Sequence, residues 1–258
     1  MTDYLESLFS LQGRTALVTG GSRGIGEMIA EALARAGARV YIAARKQPEC
    51  EATAERISAF GECIAIIADV KSREGIQALK ASIASREDHL DILVNNAGTA
   101  WVEPVDTFSE RAWDHVMDLN VKSPFFVTQA FLALLEAKAT ADSPSQVINI
   151  GSVAGYRGNT SAFSYGPSKA AIHQLTRVLA DELAHRHIHV NAIAPGFFPS
   201  RLSAPYMEDE DRYEALLDSI PLRRMGRPED IGALAIAIAA NRYLLGSIIT
   251  IDGGAMLD

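Results

Sequence analysis

Short apolar, β-branched runs alternate along this chain with longer segments whose apolar residues recur at helical spacing. The runs predict strands at 15–19, 39–43, 64–69, 92–95, 147–150, 189–193 and 248–251. Ala16-Leu17-Val18 and Ile92-Leu93-Val94 are apolar at every position. Such runs belong to strands covered on both faces, hence to a parallel sheet. The first intervening segment carries Ile25, Met28, Ile29, Leu33 and Ala36 on one helical face, with Gly37 placed to end it as a C′ glycine. A second helix is expected to end at Phe60, with Gly61 in the same role. Strand–helix alternation of this kind predicts right-handed βαβ units. No repeat, low-complexity tract or linker divides residues 1–258, so one α/β domain is expected. The stretch from Pro195 to Asp211, rich in Pro, Ser and acids, reads as a long irregular insertion, and a substrate flap is expected at about 197–220.

Composition narrows the class. Of the 258 residues, 24 are Lys or Arg and 32 are Asp or Glu, a net charge of −8, and 48% are apolar. An acidic balance without basic blocks argues against a nucleic-acid partner. Two cysteines, Cys50 and Cys63, are too few for a disulfide framework and fit a reducing compartment as structural thiols. Met1-Thr2-Asp3-Tyr4-Leu5-Glu6 lacks a basic leader region, and no run of 18 apolar residues occurs. A cytoplasmic protein with no membrane partner is expected.

Chemistry enters after the first strand, at Thr19-Gly20-Gly21-Ser22-Arg23-Gly24-Ile25-Gly26. Between a strand and a helix, such glycines let backbone N–H groups approach a pyrophosphate at the positive helix N-terminus. The end of the second strand selects the dinucleotide: an acid there takes the ribose 2′-hydroxyl of NAD, an arginine the 2′-phosphate of NADP. Here Ala44 is followed by Arg45-Lys46, with no acid until Glu49, and Arg23 could reach the same phosphate. NADP(H) is therefore the expected cofactor. His185, His187 and His189 span a helix end and a strand start, so they need not converge, and no metal site is expected. The run Glu208-Asp209-Glu210-Asp211 reads as a solvated face.

Asn120 lies in a helical pattern from Trp113 to Leu135 with Pro124 four residues on. Proline has no N–H, so the Asn120 carbonyl loses its intrahelical donor. Either the helix kinks there or a second helix starts near Ser123, with Pro124 in its first turn. Tyr165 and Lys169 stand one helical turn apart on one face, where an ammonium favours phenolate. Ser152 follows the fifth strand at the carboxyl edge, where open α/β sheets bind ligands.

Across nearly the whole chain these motifs resemble the short-chain dehydrogenase/reductase family. The resemblance rests on Thr19, Gly20, Gly24 and Gly26, on Asn95-Asn96-Ala97-Gly98, Asn120 and Ser152, on Tyr165-Gly166-Pro167-Ser168-Lys169, on Pro195-Gly196 and on Asp252-Gly253-Gly254. It implies a single Rossmann domain with a doubly wound, seven-stranded parallel sheet, helices on both faces, and a homotetramer. The catalytic set it implies is Asn120, Ser152, Tyr165 and Lys169, with Lys169 lowering the Tyr165 pKa and holding the nicotinamide ribose. Asp69 and Val70 would meet the adenine, and Asn95 would hold the fourth strand. Asn96 would serve the cofactor, with Ala97 and Gly98 passing close to the ribose. Pro195, Gly196, Phe198 and Ser200 would border the nicotinamide, and Gly20, Ser22, Arg23, Gly24, Ile25, Gly26 and Arg45 complete the cofactor set.

The first 45 residues, with 148–155 and 165–176, are most similar to 3-oxoacyl-[acyl-carrier-protein] reductases, including the rhamnolipid-pathway type. That implies hydride transfer to a 3-oxoacyl thioester. Gluconate- and polyol-type dehydrogenases are the enzymatic alternative, and a non-catalytic NADP sensor a third reading. Phe197 and Phe198 are expected to flank the nicotinamide. Leu202, Tyr206, Leu216 and Leu217 are expected to form the flap's apolar side, over the substrate, with Arg201, Arg223, Arg224 and Arg227 at the entrance.

Overall fold

The computed structural model describes residues 2–158 and 162–257. Its seven strands are β1 (Thr15–Thr19), β2 (Arg39–Ala44), β3 (Cys63–Ile67), β4 (Ile92–Asn95), β5 (Ser145–Ile150), β6 (Ile188–Pro195) and β7 (Ile248–Ile251). The helices are α1 (Thr2–Phe9), α2 (Gly24–Arg35), α3 (Gln47–Ser58), α4 (Arg73–Ala84), α5 (Glu110–Met117), α6 (Ser123–Glu136), α7 (Tyr165–Leu183), α8 (Ala204–Met207), α9 (Glu210–Asp218) and α10 (Pro228–Ala240).

All six strand pairings are parallel, in the order β3-β2-β1-β4-β5-β6-β7. The order reverses between β1 and β4, so the ligand crevice of such a sheet opens above those two strands. Strand alternation feeds two cores. Ala16, Val18, Val40, Ile42 and Val94 pack with Ile29 and Leu33 of α2 and Ile231 and Ile238 of α10. Leu17, Tyr41, Leu93, Val147 and Val190 face Leu79 of α4, Phe131 of α6 and Leu183 of α7. This is the doubly wound Rossmann sheet.

Gly37 takes the left-handed conformation (φ +100°) and its N–H bonds the Ala34 carbonyl, as expected of a C′ residue. Gly61 does not have that role. α3 ends at Ser58, and a Cβ on Gly61 would lie 2.4 Å from the Ala34 carbonyl oxygen, so the glycine permits close approach of two helix ends. β3 stops at Ile67, short of the expected 69, because Asp69 turns away to bond the Lys71 N–H. The segment 113–135 is two helices joined by one π-helical turn, Asp118–Lys122. Pro124 lies in the first turn of α6, directly after the π-turn, so both expectations meet there: a helix starts at Ser123 and the Asn120 carbonyl has no i+4 donor.

The stretch expected to be irregular from 195 to 211 carries α8 and the start of α9. Asp209, expected only to be solvated, caps α9 by accepting the Arg212 N–H at 2.9 Å. Leu216, Ile220 and Met225 form a small separate core with Phe197, Leu217 and Ala255 beneath this region.

Candidate active site

The glycine-rich turn is fastened to the neighbouring strand before any ligand is considered. Thr19 Oγ1 donates to the Val94 carbonyl and accepts the backbone N–H groups of Asn96 and Ala97. Asn96 Nδ2 donates to the carbonyls of Thr19 and Gly20 at 3.0 and 3.1 Å. The Asn96 amide donors are thus spent on holding the turn. Gly20 and Gly24 have φ of +66° and +56°, and a Cβ on Gly20 would meet Ala97 Cα at 2.9 Å. Asn95 is buried and donates to Thr128 and Asn149, fastening β4 as expected.

Around this turn stand the other residues expected to serve a dinucleotide. Ser22 is buried and its carbonyl accepts Thr53 Oγ1, while Ile25 packs on the core and Gly26 closes on Asn96. Arg23 and Arg45 are exposed, Arg45 just beyond β2. Asp69 is half-buried, and the Val70 carbonyl accepts Ser123 Oγ, joining this segment to α6. Pro195 ends β6, Gly196 is pressed against Asp252, and Ser200 lies over Gly24, whose added Cβ would meet it at 3.3 Å. Phe198 departs from expectation. Its ring is buried against Gly226 in the core, so only its backbone can face a cofactor.

The four expected catalytic residues converge at the carboxyl ends of β4 and β5. Asn120, in the π-turn, is buried; its Oδ1 accepts the Thr99 N–H and its Nδ2 donates to the Thr99 carbonyl, both at 2.8 Å. Nδ2 also donates to Ser168 Oγ at 2.9 Å. Lys169 is buried, donates to the Ile150 carbonyl at 2.7 Å, and lies 5.6 Å from the centre of the Tyr165 ring. Gly98 passes between them: a Cβ there would meet Asn120 Oδ1 at 3.3 Å and Lys169 Nζ at 3.7 Å. Ser152 Oγ accepts the Ala154 N–H, leaving its own O–H to donate.

Burial sets the electrostatics. It pushes the Lys169 ammonium down to about 8. It also holds the Tyr165 phenol above its ordinary value, against a downward pull from the Ser152 hydroxyl. The expected lowering of Tyr165 by Lys169 is therefore not found: burial raises the phenol, and the group that pulls it down is Ser152. A phenol held protonated is a proton donor.

Sequence reasoning passed over His173, one turn beyond Lys169 on α7. Its buried ring fills the space that side chains would take at Gly151 and Gly155, and it stacks on Tyr156 at 4.6 Å. Burial, with Lys169 and Arg177 nearby, pushes it down to about 4. It floors the loop that carries Ser152. Glu49, passed over as too distant along the chain, pairs with Arg23 at 3.2 Å. Among the described residues no His, Cys, Asp or Glu triplet converges as a metal site, and no helix is long and apolar enough to cross a membrane. Both cysteines are buried free thiols, with Cys63 pushed up to about 12 by burial.

Residues 14–211 match the short chain dehydrogenase family. The chain belongs to that family. It is 52% identical over 253 residues to the rhamnolipids biosynthesis 3-oxoacyl-[acyl-carrier-protein] reductase of Pseudomonas aeruginosa, covering 97% of this chain and 99% of the relative. It is 38% identical to the 2-dehydro-3-deoxy-D-gluconate 5-dehydrogenase of Escherichia coli, covering 96% and 97%. The solved Pseudomonas aeruginosa RhlG/NADP active-site complex superposes with a TM-score of 0.95 at 51% identity, covering 97% and 99%.

Proposed function

We propose that this chain is an NADPH-dependent carbonyl reductase whose substrate is a 3-oxoacyl thioester. The observation that carries the reading is the convergence of half-buried Tyr165 with buried Lys169, Ser152 and Asn120 beside the glycine-rich turn. The cofactor fits this chain's donors. An ammonium has three N–H groups; Lys169 directs one at Ile150, leaving the others for ribose hydroxyls. Arg23 and Arg45 offer cations for a 2′-phosphate where NAD-binding chains place an acid.

When bound, NADPH supplies the hydride that reduces the carbonyl carbon. Tyr165, kept protonated by burial, gives its proton to the carbonyl oxygen as the alcohol forms. The Ser152 hydroxyl donates to that same oxygen and stabilises its developing charge. Lys169, pushed down to about 8, restores the Tyr165 proton at neutral pH. Asn120 leaves its carbonyl without an i+4 donor, since Pro124 has none, and that oxygen can hold a water on the path to solvent.

The similarity to a rhamnolipid-pathway 3-oxoacyl reductase supports the thioester, and the exposed Leu202, Tyr206 and Met207 of the flap suit an apolar chain. The flap's apolar residues divide: Leu216 and Leu217 serve its own core and do not roof the substrate. Of the entrance arginines, Arg223 and Arg224 are paired with Asp218 and Asp230. The exposed Phe125 and Phe126 of α6 and Val178 of α7 suit packing against other copies in a homotetramer, and the cysteine usage suits the cytoplasm. The test is kcat/KM with NADPH across 3-oxoacyl thioesters of increasing chain length, sugar acids, polyols and diketones. The reading expects thioesters to lead and activity to rise with length, each buried methylene contributing about 0.8 kcal/mol. A preference for sugar acids would move the chain to the gluconate-type dehydrogenases.

A further inference from the structure

We propose that Glu49 is a cofactor-specificity residue: its carboxylate stands in the free enzyme where the 2′-phosphate of NADPH binds, and is exchanged for it. The inference rests on the NADPH reading above. Arg45 and Lys46 follow the end of β2, and one carboxylate, Glu49, lies between Lys46 and Arg23 of the glycine-rich turn. Arg23 Nη1 is 3.2 Å from Glu49 Oε1, and Lys46 Nζ is 4.0 Å from Oε2. A carboxylate and a phosphate present a guanidinium with the same sign of charge and the same oxygen acceptors. The pair is half-open to solvent, with side-chain exposures of 43% for Arg23 and 33% for Glu49, so an incoming anion can reach it.

The neighbourhood keeps Glu49 in place. Thr53 Oγ1 donates to the Ser22 carbonyl at 2.9 Å, and Arg56 bonds Glu27 at 2.7 Å. These contacts tie α3 to the glycine-rich turn and to α2. Glu49 also sits in the first turn of α3, where a negative charge is favourable without any partner. It can therefore release Arg23 and swing aside within that turn without needing a new partner. Phosphate binding must break the Arg23–Glu49 pair and then accept a carboxylate as a neighbour, so Glu49 weakens the hold on NADPH. NADH carries no 2′-phosphate and is not subject to that competition.

The test is a fluorescence titration giving the Kd of NADPH and of NADH for the wild type, Glu49→Gln, Arg23→Ala and the double variant. Glu49→Gln is expected to tighten NADPH about three- to tenfold, the scale of an exposed pair plus a relieved repulsion. NADH binding should stay within about twofold of wild type on the same scale. With Arg23 already replaced by Ala, the gain from Glu49→Gln should fall by more than half, and added salt should shrink it in the wild-type background. An unchanged or weaker NADPH affinity in Glu49→Gln, or equal tightening of both cofactors, overturns the role of Glu49. A wild type that binds NADH but not NADPH overturns the cofactor reading itself.

Discussion

Asn120 and Ser168 are joined by a buried 2.9 Å hydrogen bond from Nδ2 to Oγ, and Ser168 in turn donates to the Tyr165 carbonyl at 2.7 Å. The pair couples the π-turn to the first turn of α7, which carries Tyr165 and Lys169. Ser168→Ala leaves one Asn120 N–H buried without a partner, at a cost of about 1–3 kcal/mol. Both Tm and kcat are expected to fall, and Ser168→Thr should restore part of each. A drop in Tm with kcat unchanged would show that the bond serves folding alone.

His173 predicts an acid limit to stability. Its unfolded ring takes a proton near pH 6.5, its buried ring only at about 4. Between those values the unfolded chain binds more protons, so stability falls as pH falls through the window. The loss should be on the order of 3–4 kcal/mol and complete below the lower value. Urea unfolding at pH 7 and pH 4.5 should show a smaller decline for His173→Leu than for wild type. Identical declines would remove His173 from the account.

Lys169 titrates in the opposite range. Its folded value of about 8 lies below the ordinary 10.5, so the unfolded chain binds more protons between them, and stability rises with pH across that interval. The buried ammonium thus destabilises the fold at neutral pH. Lys169→Met is expected to raise Tm at pH 7, to lose that advantage by pH 10.5, and to bind NADPH weakly. A variant less stable than wild type at pH 7 would contradict this.

What the sequence revealed followed the range of each interaction. β1, β4 and β7 were legible to the residue because short apolar and β-branched runs ended at turn-forming residues. Asn120, Ser152, Tyr165 and Lys169 were legible as motifs, and the structure brings them together. Gly61 was misread because a glycine that ends a helix and one that lets two helices touch look alike in a single sequence. The Arg23–Glu49 pair joins α3 to the glycine-rich turn, and the His173 ring reaches back to Gly151 and Gly155. Neither leaves a local pattern. The direction of the Tyr165 shift depends on how deeply phenol and ammonium are buried, which spacing does not report.

The central claim is that Tyr165 protonates the carbonyl oxygen in an NADPH-dependent reduction. Tyr165→Phe removes one hydroxyl and leaves the Lys169–Ile150 bond in place. The direct measurement is NADPH Kd by fluorescence beside kcat for a 3-oxoacyl thioester, for wild type and Tyr165→Phe. The account predicts Kd within about twofold of wild type and kcat lower by at least about a hundredfold, the scale of a lost general acid. Turnover by Tyr165→Phe at near wild-type rate would contradict it.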